Sequence, residues 1–311
     1  MSGAHAPVLH DEVIASLEIK PVGRYVDGTY GRGGHAGSIL AALGPDGRLI
    51  VMDRDPEAIA DANTRLGDDD RVTIIHDDYA NLKDRLAALD LLEQVDGILL
   101  DLGVSSPQLD DASRGFSFQH NGPLDMRMNP EQGESAADWL HRAEEAEIAR
   151  VLWEYGEERH SRRIARRLVE QRETQRIDDT ATLAAMIASV VPRPKNNRHP
   201  ATRSFQAIRI HINEELTQIQ SLLASVLEVL KVGGRMLIIS FHSLEDRLVK
   251  RFIRDHSQPP KLPKGLPLRD SELVQSVPLK SVGKAIRAGA AELSQNPRAR
   301  SAVLRVAERA A

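Results

Sequence analysis

The stretch Arg24-Tyr25-Val26-Asp27-Gly28-Thr29-Tyr30-Gly31-Arg32-Gly33-Gly34-His35-Ala36-Gly37 decides the fold. Arg24–Asp27 reads as a short strand, Gly28–Gly37 as a glycine-rich turn, and Ser38–Leu43 as the opening of a helix. Glycines let the backbone approach a ligand closely, and the helix that follows offers unpaired N–H groups. The same alternation continues outward. Arg48–Asp53 is a continuous apolar run ending in an acid, and Pro56–Leu66 reads as a helix with proline in its first turn. Arg71–His76 is a third strand and Asp96–Leu102 a fourth. Runs this apolar, separated by helices, predict a parallel sheet covered on both faces.

The next comparable strand is Arg235–Phe241, announced by Lys231-Val232-Gly233-Gly234. The gap before it is about 130 residues, whereas a crossover needs about a dozen. An inserted domain over residues 109–212 follows, between sheet-forming parts at 1–108 and 213–311. Ala136–Trp153, His160–Arg172 and Thr180–Val190 carry helical three-and-four spacing, so the insert is helical. Asn213–Leu230 reads as the helix returning to the sheet and Ser301–Glu308 as a closing strand. Gln258–Lys284, rich in proline and lysine, reads as a long loop.

Composition narrows the function. Of 311 residues, 41% are apolar, an ordinary globular value that argues against disorder. The formal net charge of −4 gives no overall attraction for nucleic acid, so any RNA surface must be a local basic patch. There is no cysteine, which removes disulfides and thiolate metal sites and suits a reducing cytoplasm. No metal centre is expected. The N-terminal residues lack a basic region followed by an apolar one, so no signal peptide is expected. No run of about 18 apolar residues exists, so no membrane span is expected.

The glycine loop by itself admits two ligands. Gly31-Arg32-Gly33-Gly34-His35-Ala36 fits the dinucleotide pattern G-x-G-x-x-A, and Asp53, twenty residues after Gly33, stands where an NAD enzyme places its ribose-binding acid. Three features favour S-adenosylmethionine instead. Asp27 at the first strand end would repel a pyrophosphate. The third strand ends His76-Asp77-Asp78-Tyr79, an acid plus an aromatic suited to an adenine. The fourth ends in Asp101, near the switch point where ligands of such sheets sit.

Beyond these acids, the chain carries long motifs. They are His5–Leu9 (His-Ala-Pro-Val-Leu), Asp27–His35, Asp101–Asp110 (Asp-Leu-Gly-Val-Ser-Ser-Pro-Gln-Leu-Asp), Gly115–Phe118, Pro123–Met128, His199–Arg203 and Ser240–Asp246. Together they resemble the RsmH (MraW) family over nearly the whole chain. The resemblance implies a class I, Rossmann-like methyltransferase sheet with an inserted helical domain. It implies N4 methylation of a cytidine in the decoding region of 16S rRNA, with S-adenosylmethionine as cofactor, the small ribosomal subunit as partner, and a homodimer. It places cofactor contacts on Gly33, Gly34, His35, Asp53, Tyr79, Asp101 and Gln108. Val232 departs from the proline that many methyltransferases carry, with no consequence for function.

At the target, acceptors that bond the amino hydrogens would pull a cytosine N4 toward tetrahedral geometry and expose its lone pair. Asp101, Ser105 and Ser106 are the candidates for this catalytic role, with Phe116, Phe118 or Phe241 as the stacking aromatic. Methylation at pyrimidine carbon 5 needs a thiolate and is excluded. Ribose 2′-O methylation, or methylation of another base, stays open. Three basic segments are candidate RNA surfaces: Arg159, Arg162, Arg163, Arg166 and Arg167 at helical spacing; Arg193–His199 with Arg203 and Arg209; and Lys261, Lys264, Arg269, Lys280 and Lys284. Glu158, four residues before Arg162, opens a competing reading of the first as a self-paired solvated helix. An NAD-dependent dehydrogenase would share the loop and Asp53 but lacks a recognisable hydride-handling residue. A non-catalytic RNA-binding protein would share the basic segments.

Overall fold

The computed structural model describes residues 7–192, 199–259 and 277–311. The chain forms two compact units, Met1–Gly103 with Thr217–Ala311, and Val104–Leu216.

The first unit is an α/β sheet. It contains α1 (His10–Leu17), β1 (Arg24–Asp27), α2 (Gly34–Ala42), β2 (Arg48–Asp53), α3 (Pro56–Leu66), β3 (Val72–His76), α4 (Leu82–Ala87) and β4 (Val95–Asp101). The seven strands run in the order β3-β2-β1-β4-β5-β7-β6, where β5 is Leu230–Ser240, β6 Leu279–Ser281 and β7 Val303–Arg309. Strands β1 to β5 pair in parallel, while β7 runs antiparallel to both β5 and β6. The expected Rossmann-like sheet is present. Ile98, Leu99 and Leu100 have no exposed surface, as a strand covered on both faces requires. Burying each contributes roughly 1.5–3 kcal/mol.

The second unit is helical: α5 (Ser106–Asp110), α6 (Ala136–Arg142), α7 (Glu145–Gly156), α8 (Ser161–Arg172), α9 (Thr180–Val190) and α10 (Thr202–Ile212). Its core gathers Trp139, Leu152, Ile164, Leu183 and Ile208. The Pro123–Met128 motif is a scaffold here. Asn213 accepts from the Met128 N–H at 2.7 Å and donates to the Met126 carbonyl at 2.7 Å, pinning the segment from both sides. Helix α11 (Glu215–Val229) leads back to β5, and α12 (Ser243–His256) and α13 (Ala290–Gln295) complete the chain.

Four elements differ from the sequence reading. The helix expected from Ser38 starts at Gly34, because Gly33 takes a left-handed conformation (φ 73°) and acts as the N-cap. The span Ala136–Trp153 is two helices, broken where Glu144 goes extended (ψ 152°) to start the second. The strand expected from Arg235 starts earlier, at Leu230, with a register shift between Val95 and Gly97. Leu279–Ser281, placed in a loop, is an edge strand held by backbone pairing to β7, which needs no apolar run. Arg193–Arg198, Lys261, Lys264 and Arg269 lie outside the described residues.

Candidate active site

The register of the sheet builds the site. Asp27 pairs in register with Val51 of β2 and Leu99 of β4. Asp53 and Asp101 therefore stand two residues further along the flanking strands, on the same face of the sheet as Asp27. The glycine loop leaves β1 between them. The Gly31 N–H donates to Asp53 Oδ2 at 2.8 Å, and the Asp55 N–H to Oδ1 at 2.9 Å. The Thr29 N–H donates to Asp27 at 3.2 Å. The Thr29 hydroxyl in turn accepts from the Asp101 N–H at 2.6 Å, tying the loop to the end of β4. A Cβ on Gly33 would stand 2.6 Å from the Tyr30 hydroxyl, which is itself fixed by Asp61 at 2.9 Å. Only glycine can keep that turn, because the position combines positive φ with this close approach.

The three carboxyls stand close enough that Asp53 acts on Asp27 and Asp27 on Asp101. Burial, opposed by the Thr29 N–H and reinforced by Asp53, pushes the Asp27 carboxyl up to about 7. Burial raises Asp53 to about 6 against the N–H groups that hold it. Burial, with the charges of Asp27 and Glu245 behind it, raises Asp101 to about 8. Buried Oδ1 of Asp101 has no hydrogen-bond partner among the described residues. His35, in the first turn of α2, lies 3.8 Å from Asp101 Oδ2, and burial together with neighbouring His10 lowers its imidazole to about 4. At neutral pH it is uncharged and supplies no compensating cation. Carboxyls with pKa values raised this far ionise most readily beside a ligand that brings positive charge, and a pyrophosphate would oppose that ionisation. A ligand carrying positive charge beside a nucleoside fits this site.

The remaining expected residues divide. Tyr79 is half-buried at the end of β3, and its Cβ would lie 3.5 Å from one on Gly28. Of the acids beside it, Asp77 accepts from Asn81 at 2.8 Å and Arg85 at 2.5 Å, and Asp78 pairs with Arg54 at 2.9 Å. Gly34 faces Pro7, 3.1 Å from where its Cβ would be. Ser105 and Gln108 form a reciprocal cap on α5: the Gln108 N–H donates to Ser105 Oγ at 3.4 Å, and the Ser105 N–H to Gln108 Oε1 at 2.9 Å. Both have a structural task in the second unit, signalled in the sequence by the S-x-x-Q spacing of a capping box. Ser106 is the first residue of that helix. Phe116 is 6% exposed in the core of the second unit, and Phe118 packs on Phe205 and His199 at 4.7 and 4.6 Å. Phe241 is packed against the core of the first unit.

A residue without an assigned role in the sequence reading is Glu245, fully buried in the first turn of α12. Its carboxylate accepts from the N–H groups of Phe241 at 2.8 Å and His242 at 3.2 Å, and lies 3.1 Å from His242 Nε2. It fixes the turn after β5 and adds to the negative potential at Asp101. The H-x-x-E spacing carried the signal, in a motif noticed only for its resemblance.

A family model described as the MraW methylase family matches residues 2–310. The chain belongs to that family. It is a methyltransferase. A relative from Thioalkalivibrio sulfidiphilus (strain HL-EbGR7), named ribosomal RNA small subunit methyltransferase H, is 57% identical over 309 residues, covering 99% of this chain and 98% of the relative. A second of the same name, from Idiomarina loihiensis, is 56% identical over 308 residues, with the same coverage of both. Among the described residues, no helix is long and apolar enough to cross a membrane.

The arginine helix of the second unit is α8. Arg162, Arg163 and Arg166 are exposed and Arg167 is half-buried, while Ile164, Ala165 and Leu168 turn inward. Glu158 precedes the helix, is 4% exposed and accepts from the His160 N–H at 2.9 Å. That geometry argues against a Glu158–Arg162 helix pair. Arg203 is exposed and donates to the Glu157 carbonyl at 3.1 Å. Arg209 is held by both oxygens of Glu215 at 2.7 and 2.8 Å, which takes it off the basic surface.

Proposed function

We propose that this chain transfers a methyl group from S-adenosylmethionine to the N4 amino group of a cytidine in the decoding region of 16S rRNA. The observation that carries the reading is the trio Asp27, Asp53 and Asp101 at adjacent strand ends, Asp27 buried and the other two half-buried, all with raised carboxyl pKa values. The sulfonium and ammonium charges of this cofactor answer that potential, and its methyl arrives already activated. Asp27 faces the amino-acid end, Asp53 accepts from the ribose hydroxyls beyond the two N–H bonds it already receives, and Tyr79 packs on the adenine. Gly33 and Gly34 keep the backbone close, and His35 backs Asp101. The unpartnered Oδ1 of Asp101 is the acceptor for an N4 hydrogen. Ser105 and Ser106 follow as further acceptors, with Ser105 also capping its helix. The names of the relatives support small-subunit rRNA as substrate. That substrate implies the cytoplasm, and the Rossmann-like unit with its helical insert gives the insert the task of recognising RNA.

The deciding experiment incubates purified protein, small subunits and labelled cofactor, then identifies the modified nucleoside by mass spectrometry. N4-methylcytidine is the expected product. A ribose-methylated cytidine or a methylated adenosine would leave the methyltransferase assignment intact and reject the target.

The insert's role has its own test. Replacing Arg162, Arg163, Arg166 and Arg167 with glutamine should lower the slope of log affinity for rRNA against log salt by about 3, at roughly 0.7–0.9 per phosphate contact. Cofactor affinity should stay unchanged. A slope equal to that of the wild-type protein would return α8 to a merely solvated helix.

A further inference from the structure

Helix α12 reads Ser-Leu-Glu-Asp-Arg-Leu-Val-Lys-Arg-Phe-Ile-Arg-Asp-His. Arg247, Lys250, Arg251 and Arg254 stand at i, i+3, i+4 and i+7, so they share one face, and all four are exposed. Glu245, Val249 and Ile253 are buried on the other side. The helix macrodipole favours cations only in the last turn, which accounts for Arg254 but not for Arg247 or Lys250.

Beside this stripe the sheet edge completes a groove. A cavity of about 360 Å³ lies between the C-terminal half of α12 and the β6–β7 edge. Its charged lining is Lys250, Arg254, Lys284 and Arg305, with no carboxylate among the described residues that line it. Ser257, Gln258 and Ser281 add neutral hydrogen-bonding groups, over a floor that includes Ile253, Val282 and Val306. The acids nearest in sequence are occupied: Asp246 is bound by Arg305 at 2.6 and 3.1 Å, and Asp255 by Arg254 at 2.7 Å. Lys250 and Lys284 have no ion-pair partner among the described residues. The protein's net charge is −4, so this concentration of cations is local.

We propose that the groove between α12 and the β6–β7 edge binds the sugar-phosphate backbone of the RNA substrate, giving the catalytic unit its own RNA contact separate from the helical insert. The inference rests on the rRNA reading above. Lys250 and Arg254, the two helix cations that line the groove, stand about 6 Å apart in axial rise, a spacing that serves neighbouring phosphates of one strand. The serine and glutamine side chains suit ribose hydroxyls. Among the described residues no aromatic lines the groove, so the contact holds the strand without selecting its sequence. Among the described residues, the exposed large apolar side chains Val22, Leu89, Trp153 and Val232 do not line the groove, whose described rim is cationic and polar.

The test is the double variant Lys250→Gln/Lys284→Gln in the full chain, assayed with naked 16S rRNA and with intact subunits. The slope of log affinity against log salt should fall by about 1.4–1.8, two contacts' worth. KM for RNA should rise roughly three- to tenfold while kcat at saturation and S-adenosylhomocysteine affinity hold. Lys250→Arg/Lys284→Arg should restore the slope. Wild-type slope and KM in the folded glutamine variant would overturn the groove alone. Weakened binding to subunits with unchanged binding to naked rRNA would assign the groove to a ribosomal protein and overturn it too. A wild-type protein that fails to bind rRNA at all would instead reject the substrate reading on which the inference stands.

Discussion

Asp101→Ala should lower methyl transfer by roughly 10²–10⁴-fold, the range lost when a positioned proton acceptor is removed. Its carboxylate has one buried oxygen without a partner, and it ends the strand beside the glycine loop. Isothermal titration of the cofactor separates two causes. Unchanged affinity with lost turnover assigns Asp101 to the amine, and lost affinity assigns it to the cofactor's positive charge. Full activity in the variant would remove Asp101 from the site. The pH dependence sharpens the test. Burial first, then Asp27 and Glu245, raise this carboxyl from 3.8 to about 8, so the folded apoprotein keeps the proton that the unfolded chain releases. Its contribution to stability is therefore full below about pH 4 and is lost as pH rises toward 8. A cationic ligand selects the ionised form, so cofactor affinity should tighten with rising pH up to about 8 and level off above. Asp101→Asn should flatten that rise. It should also make the apoprotein more stable at pH 8, by roughly 1–2 kcal/mol, since a buried charge is gone. An inactive, more stable variant is the expected pairing, measured by denaturant unfolding at pH 5 and 8.

Asp53→Ala should weaken S-adenosylmethionine by about 2–4 kcal/mol, or roughly thirty- to several-hundred-fold, from the loss of hydrogen bonds to a charged group. Part of the loss comes from the loop itself, because Asp53 also accepts the N–H groups of Gly31 and Asp55. Asp53→Asn keeps an acceptor oxygen and should lose less. Wild-type affinity by titration in a folded alanine variant would reject the ribose assignment.

These two acids show what could be read in advance. Asp53 closes an apolar run that can only be a buried strand, so its place at a strand end follows from its neighbours in sequence. Asp101 closes Asp-Gly-Ile-Leu-Leu-Asp in the same way. The glycine loop, the covered strands and the helical insert are local patterns, and burial and backbone freedom made them legible. Where the reading slipped, the signal was weak or shared. Gly33 is one of several glycines, and only its left-handed backbone shows that it starts the helix. Leu279–Ser281 has no apolar pattern to distinguish an edge strand from a loop. The capping boxes at Ser105 and His242 were written in their spacing, but Ser105 also belongs to a motif that invites a catalytic reading.

By itself, then, the sequence determined which residues end strands, which segments turn and which helices form, because backbone preference and apolar periodicity act over a few residues. Only the tertiary structure decided that Asp27, Asp53 and Asp101 stand together at neighbouring strand ends, since that follows from strand order and register between segments up to 74 residues apart. It alone left Asp101 Oδ1 unpartnered, made His35 neutral through burial, took Arg209 off the basic surface through Glu215, and brought Lys250 and Lys284 to one groove. Desolvation and charge interaction depend on what lies within a few ångströms, and that neighbourhood exists only once the sheet has formed.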